Sequence, residues 1–277
     1  MIRIGTRGSA LALAQASWVG ERLVEPYELV RVDAGGPVDD KSRWVSGLER
    51  ALLAGEIDVA VHSAKDVPAE LADGLSLVAI PVREDPRDAI CGAPSLAALS
   101  AGARVGTSSL RRAAQIRAAR PDVEVVEIRG NVDTRLRKLG EGQCDALVLA
   151  VAGLKRLGRL DAVDGVLAEL VPAAGQGALA VEAFAGGPDV SALIDPDATA
   201  CVMAERELTR ALGASCNTPI GAFAQVVGGG ELELAAWVGR PDGSAWVRDQ
   251  LRSATADGLG AAVAERLVSA GAMEFLS

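Results

Sequence analysis

Aromatic side chains are scarce in this chain: one tyrosine, three phenylalanines and four tryptophans make up 3% of its 277 residues. So few rings offer little for bases to stack on. A net charge of −9, from 37 acidic and 28 basic residues, also argues against binding nucleic acid or an anionic membrane through overall basicity. His62 is the only histidine, which argues against a hydrolase triad. The four cysteines, at 91, 144, 201 and 216, show no Cys-x-x-Cys spacing and have no partner histidine, so no metal site is expected. No run approaches the roughly 20 apolar residues of a membrane span, and the N-terminus is not of the basic-then-apolar secretory kind. A cytoplasmic location, with no membrane partner, is the expectation.

Apolar residues, 49% of the chain, are plentiful and arranged with a rhythm. The first part alternates β-branched runs with helical patterns: Ile2 to Gly5, Ala10 to Val24, Leu29 to Asp33, Gly47 to Ala54 and Ile57 to Val61. That is the pattern of βα units around a largely parallel sheet. A polar stretch with two prolines, Pro81 to Asp88, reads as a crossover, after which the rhythm resumes. It predicts strand Arg104 to Gly106, helix Leu110 to Ala119, strand Val123 to Ile128, helix Val132 to Leu139, strand Ala146 to Ala150 and helix Gly153 to Leu157. Leu179 to Glu182 reads as a strand returning to the first lobe, and two crossovers make a hinged cleft. Helix Ala198 to Leu212, a hairpin across Pro241-Asp242-Gly243 and helix Leu259 to Ala270 complete a small α+β domain. The expected division is 1–82 with 175–194, then 87–172, then 197–277.

Arginine is concentrated at the strand ends. Three strand-to-helix junctions, Gly5-Thr6-Arg7-Gly8-Ser9, Gly106 to Arg112 and Arg129 to Arg135, are each suited to an anion, because backbone N–H groups and the helix dipole favour a carboxylate there. The plainer reading of each is an ordinary side-chain cap beside surface arginines. Three in one chain favour anion binding, and Arg111 and Arg112 add fork-shaped donors. Lys65 and Asp66 close another hydrophobic run, at the strand end where open α/β sheets place their sites. His62, just before them, reads as a hydrogen-bonded core residue. Cys91, Cys144 and Cys201 sit in apolar or helical patterns; only Cys216 lies in an evident loop, Gly213 to Gly221, where a thiol can carry a group covalently.

These motifs coincide with those of a known family. Along nearly its whole length the chain resembles porphobilinogen deaminase, through Thr6 to Leu13, Val61 to Pro68, Arg83 to Asp88, Gly106 to Arg112, Arg129 to Leu136, Ala150 to Gly158 and the Cys216 loop. The resemblance implies two α/β lobes of type II periplasmic-binding-protein kind with a hinged cleft, and a small C-terminal α+β domain. It implies a transferase that condenses four molecules of porphobilinogen on a dipyrromethane cofactor held by a thioether to Cys216, releasing hydroxymethylbilane and ammonia. Asp66 corresponds to the catalytic carboxylate. Arg7, Ser9, Lys65, Ser108, Arg111, Arg112, Arg129, Arg135 and Arg156 correspond to groups that hold the acetate and propionate arms. The expected state is a monomer. The other readings are a non-catalytic anion-binding module, or a paralogue that elongates poorly.

The second of these arises from departures. The loop before the second helix is shorter than the family's Gly-Gly-Lys-Gly-Leu-Phe type; Lys41 and Trp44 take its lysine and aromatic places, and a second lysine is missing. That segment is expected to act as a lid. Ala214-Ser215-Cys216 stands for Gly-Gly-Cys, and Asp133 replaces a small residue beside the arms, where its charge is expected to weaken binding.

Overall fold

The computed structural model describes residues 1–33, 42–214 and 218–276, with the backbone alone for 42–44. The chain begins with β1 (Ile2–Thr6), α1 (Ala10–Gly20), β2 (Tyr27–Arg31), α2 (Ser42–Leu53), β3 (Val59–Ser63) and β4 (Leu75–Ala79). After the first crossover come β5 (Asp88–Cys91), β6 (Arg104–Gly106), α3 (Leu110–Ala119) and β7 (Glu124–Val126). Then follow α4 (Val132–Gly140), β8 (Ala146–Ala150), α5 (Val151–Arg156) and β9 (Gly165–Leu167). A second crossover leads into β10 (Leu179–Phe184), α6 (Pro196–Ala211), β11 (Ile220–Val226), β12 (Leu232–Gly239), β13 (Trp246–Ser253) and α7 (Leu259–Ser269).

Two five-stranded sheets share one plan. The first has the order β2-β1-β3-β10-β4 and the second β7-β6-β8-β5-β9. In each, three neighbouring strands run parallel and the fourth is antiparallel: β10 against β3 and β4, β5 against β8 and β9. This is the type II lobe arrangement that the resemblance implied. Strands buried on both faces are mostly apolar, and a polar side chain there needs a partner, as His62 of β3 has in Glu182 of β10. Ala146-Leu147-Val148-Leu149 of β8 is accordingly buried, and in β3 the first four residues are. Leu179 to Phe184 does return to the first sheet, with Ala180 opposite His62.

The third sheet, β11-β12-β13, is antiparallel, with α6 and α7 on one face over Leu208, Leu234, Val263 and Leu267. Each of these leucines, fully withdrawn from water, contributes on the order of 2 kcal/mol. Trp237 of β12 is buried and stacks on Trp246 of β13, centroids 6.4 Å apart, while Trp246 stays half exposed. Gly243, with φ of 74°, turns the hairpin against α3, where a Cβ would come within 2.6 Å of the Ala118 nitrogen. Helix α5 begins at Val151, directly after β8, two residues before the position expected from the sequence.

Candidate active site

Parallel strands place their C-terminal ends along one edge of a sheet. Thus Arg7 and Ser9 after β1 share an edge with Lys65 and Asp66 after β3. In the second sheet Ser108 to Arg112 after β6, Arg129 to Arg135 after β7 and Arg156 on α5 do the same. All three helices at these junctions carry side-chain caps: Ser9 Oγ accepts from the Ala12 nitrogen, Ser109 Oγ from Arg112 and Asn131 Oδ1 from Thr134. Ser108 itself is exposed, beside the cap.

Arg111 and Arg112 are buried around Asp88. Arg111 Nη1 donates to Asp88 Oδ2 at 2.8 Å and to the Val171 carbonyl at 2.8 Å; Arg112 Nε donates to Asp88 Oδ1 at 2.9 Å. Burial pushes the Asp88 pKa up, but the charges of Arg111 and Arg112 and hydrogen bonds from Arg111 and Gln176 outweigh it and hold the carboxyl well below its usual range. Two guanidinium groups on one carboxylate leave a buried unit of positive charge. Arg111 Nε has no acceptor among the described residues.

Arg135 and Arg156 add to the excess. Arg135 Nε donates to the Gly130 carbonyl at 2.7 Å, and burial together with the nearby Arg112 charge pushes its pKa down. Among the described residues it has no hydrogen bond or ion pair to a carboxylate. Arg156 Nη2 donates to the Gly177 carbonyl at 2.7 Å; burial pushes its pKa down to about 10 against the opposing pull of Glu84. Lys65 Nζ reaches Gln176 Oε1 at 3.4 Å. Arg129 is exposed and its Nε donates to Glu127 Oε1 at 2.8 Å. Arg7, Ser9 and Asp66 are half-buried at their strand ends. Asp133 Oδ1 accepts from Arg159 Nη1 at 2.6 Å, which offsets its charge. Lys41 and Cys216 lie outside the described residues, as does the side chain of Trp44.

His62 is a core residue, with Nε2 2.9 Å from Glu182 Oε2 and both side chains buried. Cys91 and Cys201 are also buried, and burial pushes both thiols up to about 11, which suits inert packing groups.

Sequence reading overlooked five residues. Asp88 stood in the crossover motif as one charge among several, and only its place at the start of the apolar run Ala89-Ile90-Cys91 hinted that it is buried. Gln176 and the pair Arg83 and Glu205 carried no local signal, since their partners lie 64 to 122 residues away. Arg206 on α6 donates to the Val67, Pro68 and Ala69 carbonyls at 3.2, 2.7 and 3.2 Å, supporting the turn after Asp66 from behind.

An excess of guanidinium over carboxylate around Asp88, at the strand ends of one of two α/β lobes, suits a protein that takes a polyanionic organic ligand. Two family models match the chain: porphobilinogen deaminase, dipyromethane cofactor binding domain, over residues 2–192, and porphobilinogen deaminase, C-terminal domain, over 199–269. The chain belongs to the porphobilinogen deaminase family. It is 44% identical over 300 aligned positions to the porphobilinogen deaminase of Roseiflexus castenholzii, covering 100% of this chain and 98% of that one. To that of Chromobacterium violaceum it is 45% identical, with 100% and 97% covered. Alignments of 300 positions exceed this chain's 277 residues, so its internal loops are the shorter ones. Among solved structures it is similar to an ABC transporter from Parabacteroides distasonis, 16% identical over 67% of this chain and 66% of that one, with a TM-score of 0.43. It is also similar to the Bordetella pertussis BvgS periplasmic VFT2 domain, 20% identical over 67% and 81%, TM-score 0.39. These likenesses are too slight to bear on function.

The cofactor of this family is dipyrromethane. The residues present fit a group rich in carboxylates: Arg111 Nε is a buried donor lacking an acceptor among the described residues, and Arg135 is a half-buried cation lacking a carboxylate there.

Proposed function

We propose that this chain joins four porphobilinogen molecules head to tail and releases hydroxymethylbilane and ammonia, as a transferase of tetrapyrrole biosynthesis. The observation that carries this reading is the excess of buried guanidinium over carboxylate where Arg111 and Arg112 share Asp88, with Arg111 Nε left without an acceptor among the described residues. Each pyrrole brings two carboxylates, so a growing chain of them accumulates charge that needs such cations once water is excluded.

Each condensation forms one carbon–carbon bond, breaks the bond to the departing amine and frees one ring proton, which leaves with the amine; after the fourth, one water cleaves the product from its tether and supplies its hydroxyl group. Asp66 is the catalytic carboxylate: it accepts hydrogen bonds from pyrrole N–H groups and stabilises the positive charge that develops as the amine leaves. Electrostatic help of this kind is often the largest catalytic contribution. Arg7, Ser9, Lys65, Ser108, Arg112, Arg129, Arg135 and Arg156 hold the acetate and propionate arms. Arg111 contributes through its charge and its Nε, its Nη1 being bonded to Asp88 and Val171. Cys216 anchors the cofactor as a thioether, which explains a nucleophilic cysteine with no general base: it reacts once, during maturation. The bound cofactor supplies a tethered pyrrole as the first acceptor.

The units 1–82 with 175–194, 87–172 and 197–277 are proposed to move about the crossovers as the product lengthens, with Lys41 and Trp44 in the covering segment. The protein is proposed to act as a cytoplasmic monomer; no helix among the described residues is long and apolar enough to cross a membrane. Formation of hydroxymethylbilane from porphobilinogen by the purified protein is the test, and its absence overturns the reading.

A further inference from the structure

Gln176 lies where the two crossovers meet, and its side chain is 1% exposed. Its Nε2 donates to the Pro86 carbonyl at 2.7 Å and to Asp88 Oδ1 at 2.8 Å. Two short bonds to acceptors fix which way the amide points. Its Oε1 therefore faces the cations, accepting from Lys65 Nζ and from Arg112 Nη2, each at 3.4 Å. Lys65 follows a strand of the first sheet, and Arg112 stands on a helix of the second.

The backbone is just as constrained. Gly175 and Gly177 have φ of 70° and 88°, a region that favours glycine. A Cβ on Gly175 would meet the Lys65 nitrogen at 2.8 Å, and one on Gly177 the Glu84 oxygen at 2.3 Å. The Gln176 carbonyl also accepts from Arg83 Nε at 2.9 Å. Neither the peptide nor the amide has room to turn.

Arg112 is itself fixed by Asp88, whose Oδ1 lies 2.8 Å from its Nη2 and 2.9 Å from its Nε. We propose that Gln176 is a positioning residue that sets Lys65 beside this fixed Arg112 at a single neutral oxygen, so that the two cations, one from each lobe, grip the same ligand carboxylate. This rests on the reading of the pocket given under Proposed function. Neutrality is the essential property, because a glutamate here would orient the same cations while cancelling one of their charges. It would also set a second anionic oxygen against Asp88. Contacts of 3.4 Å are long and weak, whereas charge-assisted bonds to a carboxylate are roughly twice as strong as neutral ones. An arriving acetate or propionate arm takes over the donors of the cations at small cost, the amide staying in place.

The test compares wild type with Gln176→Met and Gln176→Glu. The probe is the aminomethyl-free analogue of porphobilinogen, which has the same two carboxylate arms and cannot condense. Its affinity is measured by calorimetry at several salt concentrations, and KM and kcat for porphobilinogen are measured alongside. Gln176→Met is expected to bind the analogue about tenfold more weakly, because Lys65 is no longer held beside Arg112 before the arm arrives, with KM rising in step and kcat within about threefold. Gln176→Glu is expected to bind at least as weakly and to show a flatter salt dependence, one positive charge having been offset. Affinities and salt dependence equal to wild type in both variants, even with a lowered unfolding midpoint, overturn the proposal. So does a wild type that does not bind the analogue. A wild type that binds it but makes no hydroxymethylbilane, with the variants weakened as expected, overturns the proposed reaction and leaves the role of Gln176 standing.

Discussion

Arg83 Nη1 lies 2.6 Å from Glu205 Oε1, in a pair whose carboxylate is fully buried, and this contact ties the first crossover to helix α6. Glu205 also accepts from the Gly175 nitrogen at 2.6 Å and the Ala224 nitrogen at 2.7 Å, so both crossovers and the third sheet converge on one side chain. Removing one partner of a buried pair leaves the other charge unpaired. Glu205→Gln is expected to cost about 3–5 kcal/mol of stability. Urea denaturation checks this through a lower midpoint at unchanged slope. A variant within about 1 kcal/mol of wild type would contradict the role given to the pair.

Asp88 links stability to acid. Its folded pKa lies below the unfolded value, so the unfolded chain binds the proton more readily and stability rises with pH through the carboxylate range. The contribution is complete above about pH 5, relative to an unfolded value near 4, and is lost as pH falls toward the depressed folded pKa. Wild type is expected to exceed Asp88→Asn in stability at pH 7, with the gap closing only below about pH 4. Denaturation midpoints across this range check it, and a gap independent of pH would contradict it.

Arg135 shows a trade between stability and binding. A half-buried guanidinium with no carboxylate partner among the described residues gives up part of its hydration on folding, and a ligand arm offsets that loss. Arg135→Met is expected to leave the unfolding midpoint of cofactor-free protein unchanged or raise it, while increasing KM at least tenfold. A lower midpoint with an unchanged KM would assign Arg135 to the scaffold instead.

Asp66→Asn preserves shape and removes charge. Turnover is expected to fall by a factor of about 100 to 1,000, the range for loss of one electrostatic contact to a transition state. Cofactor attachment should persist, read as intact mass. Near-normal turnover would remove the proposed role.

Much of the architecture was legible because it is local. Arg104–Gly106, Leu110–Ala119 and Ala146–Ala150 agree with the sequence reading to the residue, since caps and apolar runs mark their ends. The strands β4, β5, β9 and β11 were overlooked: β5 and β9 have four and three residues, too few for a period to show, and Gly221 interrupts β11. Arginine-rich junctions pointed to an anion pocket. What they did not reveal is that Arg111 and Arg112 share an internal carboxylate, because Asp88 reaches them through tertiary folding. The same holds for Gln176, whose partners come from three separate stretches of chain.

The central claim is a covalently primed pocket that elongates pyrroles, and intact mass tests it most directly. Wild type and Cys216→Ser are to be weighed without and with porphobilinogen. A wild-type excess of two linked pyrroles, absent from the variant and extended by single-pyrrole steps when porphobilinogen is added, is the predicted result. An unmodified wild-type mass that does not change with porphobilinogen would contradict it.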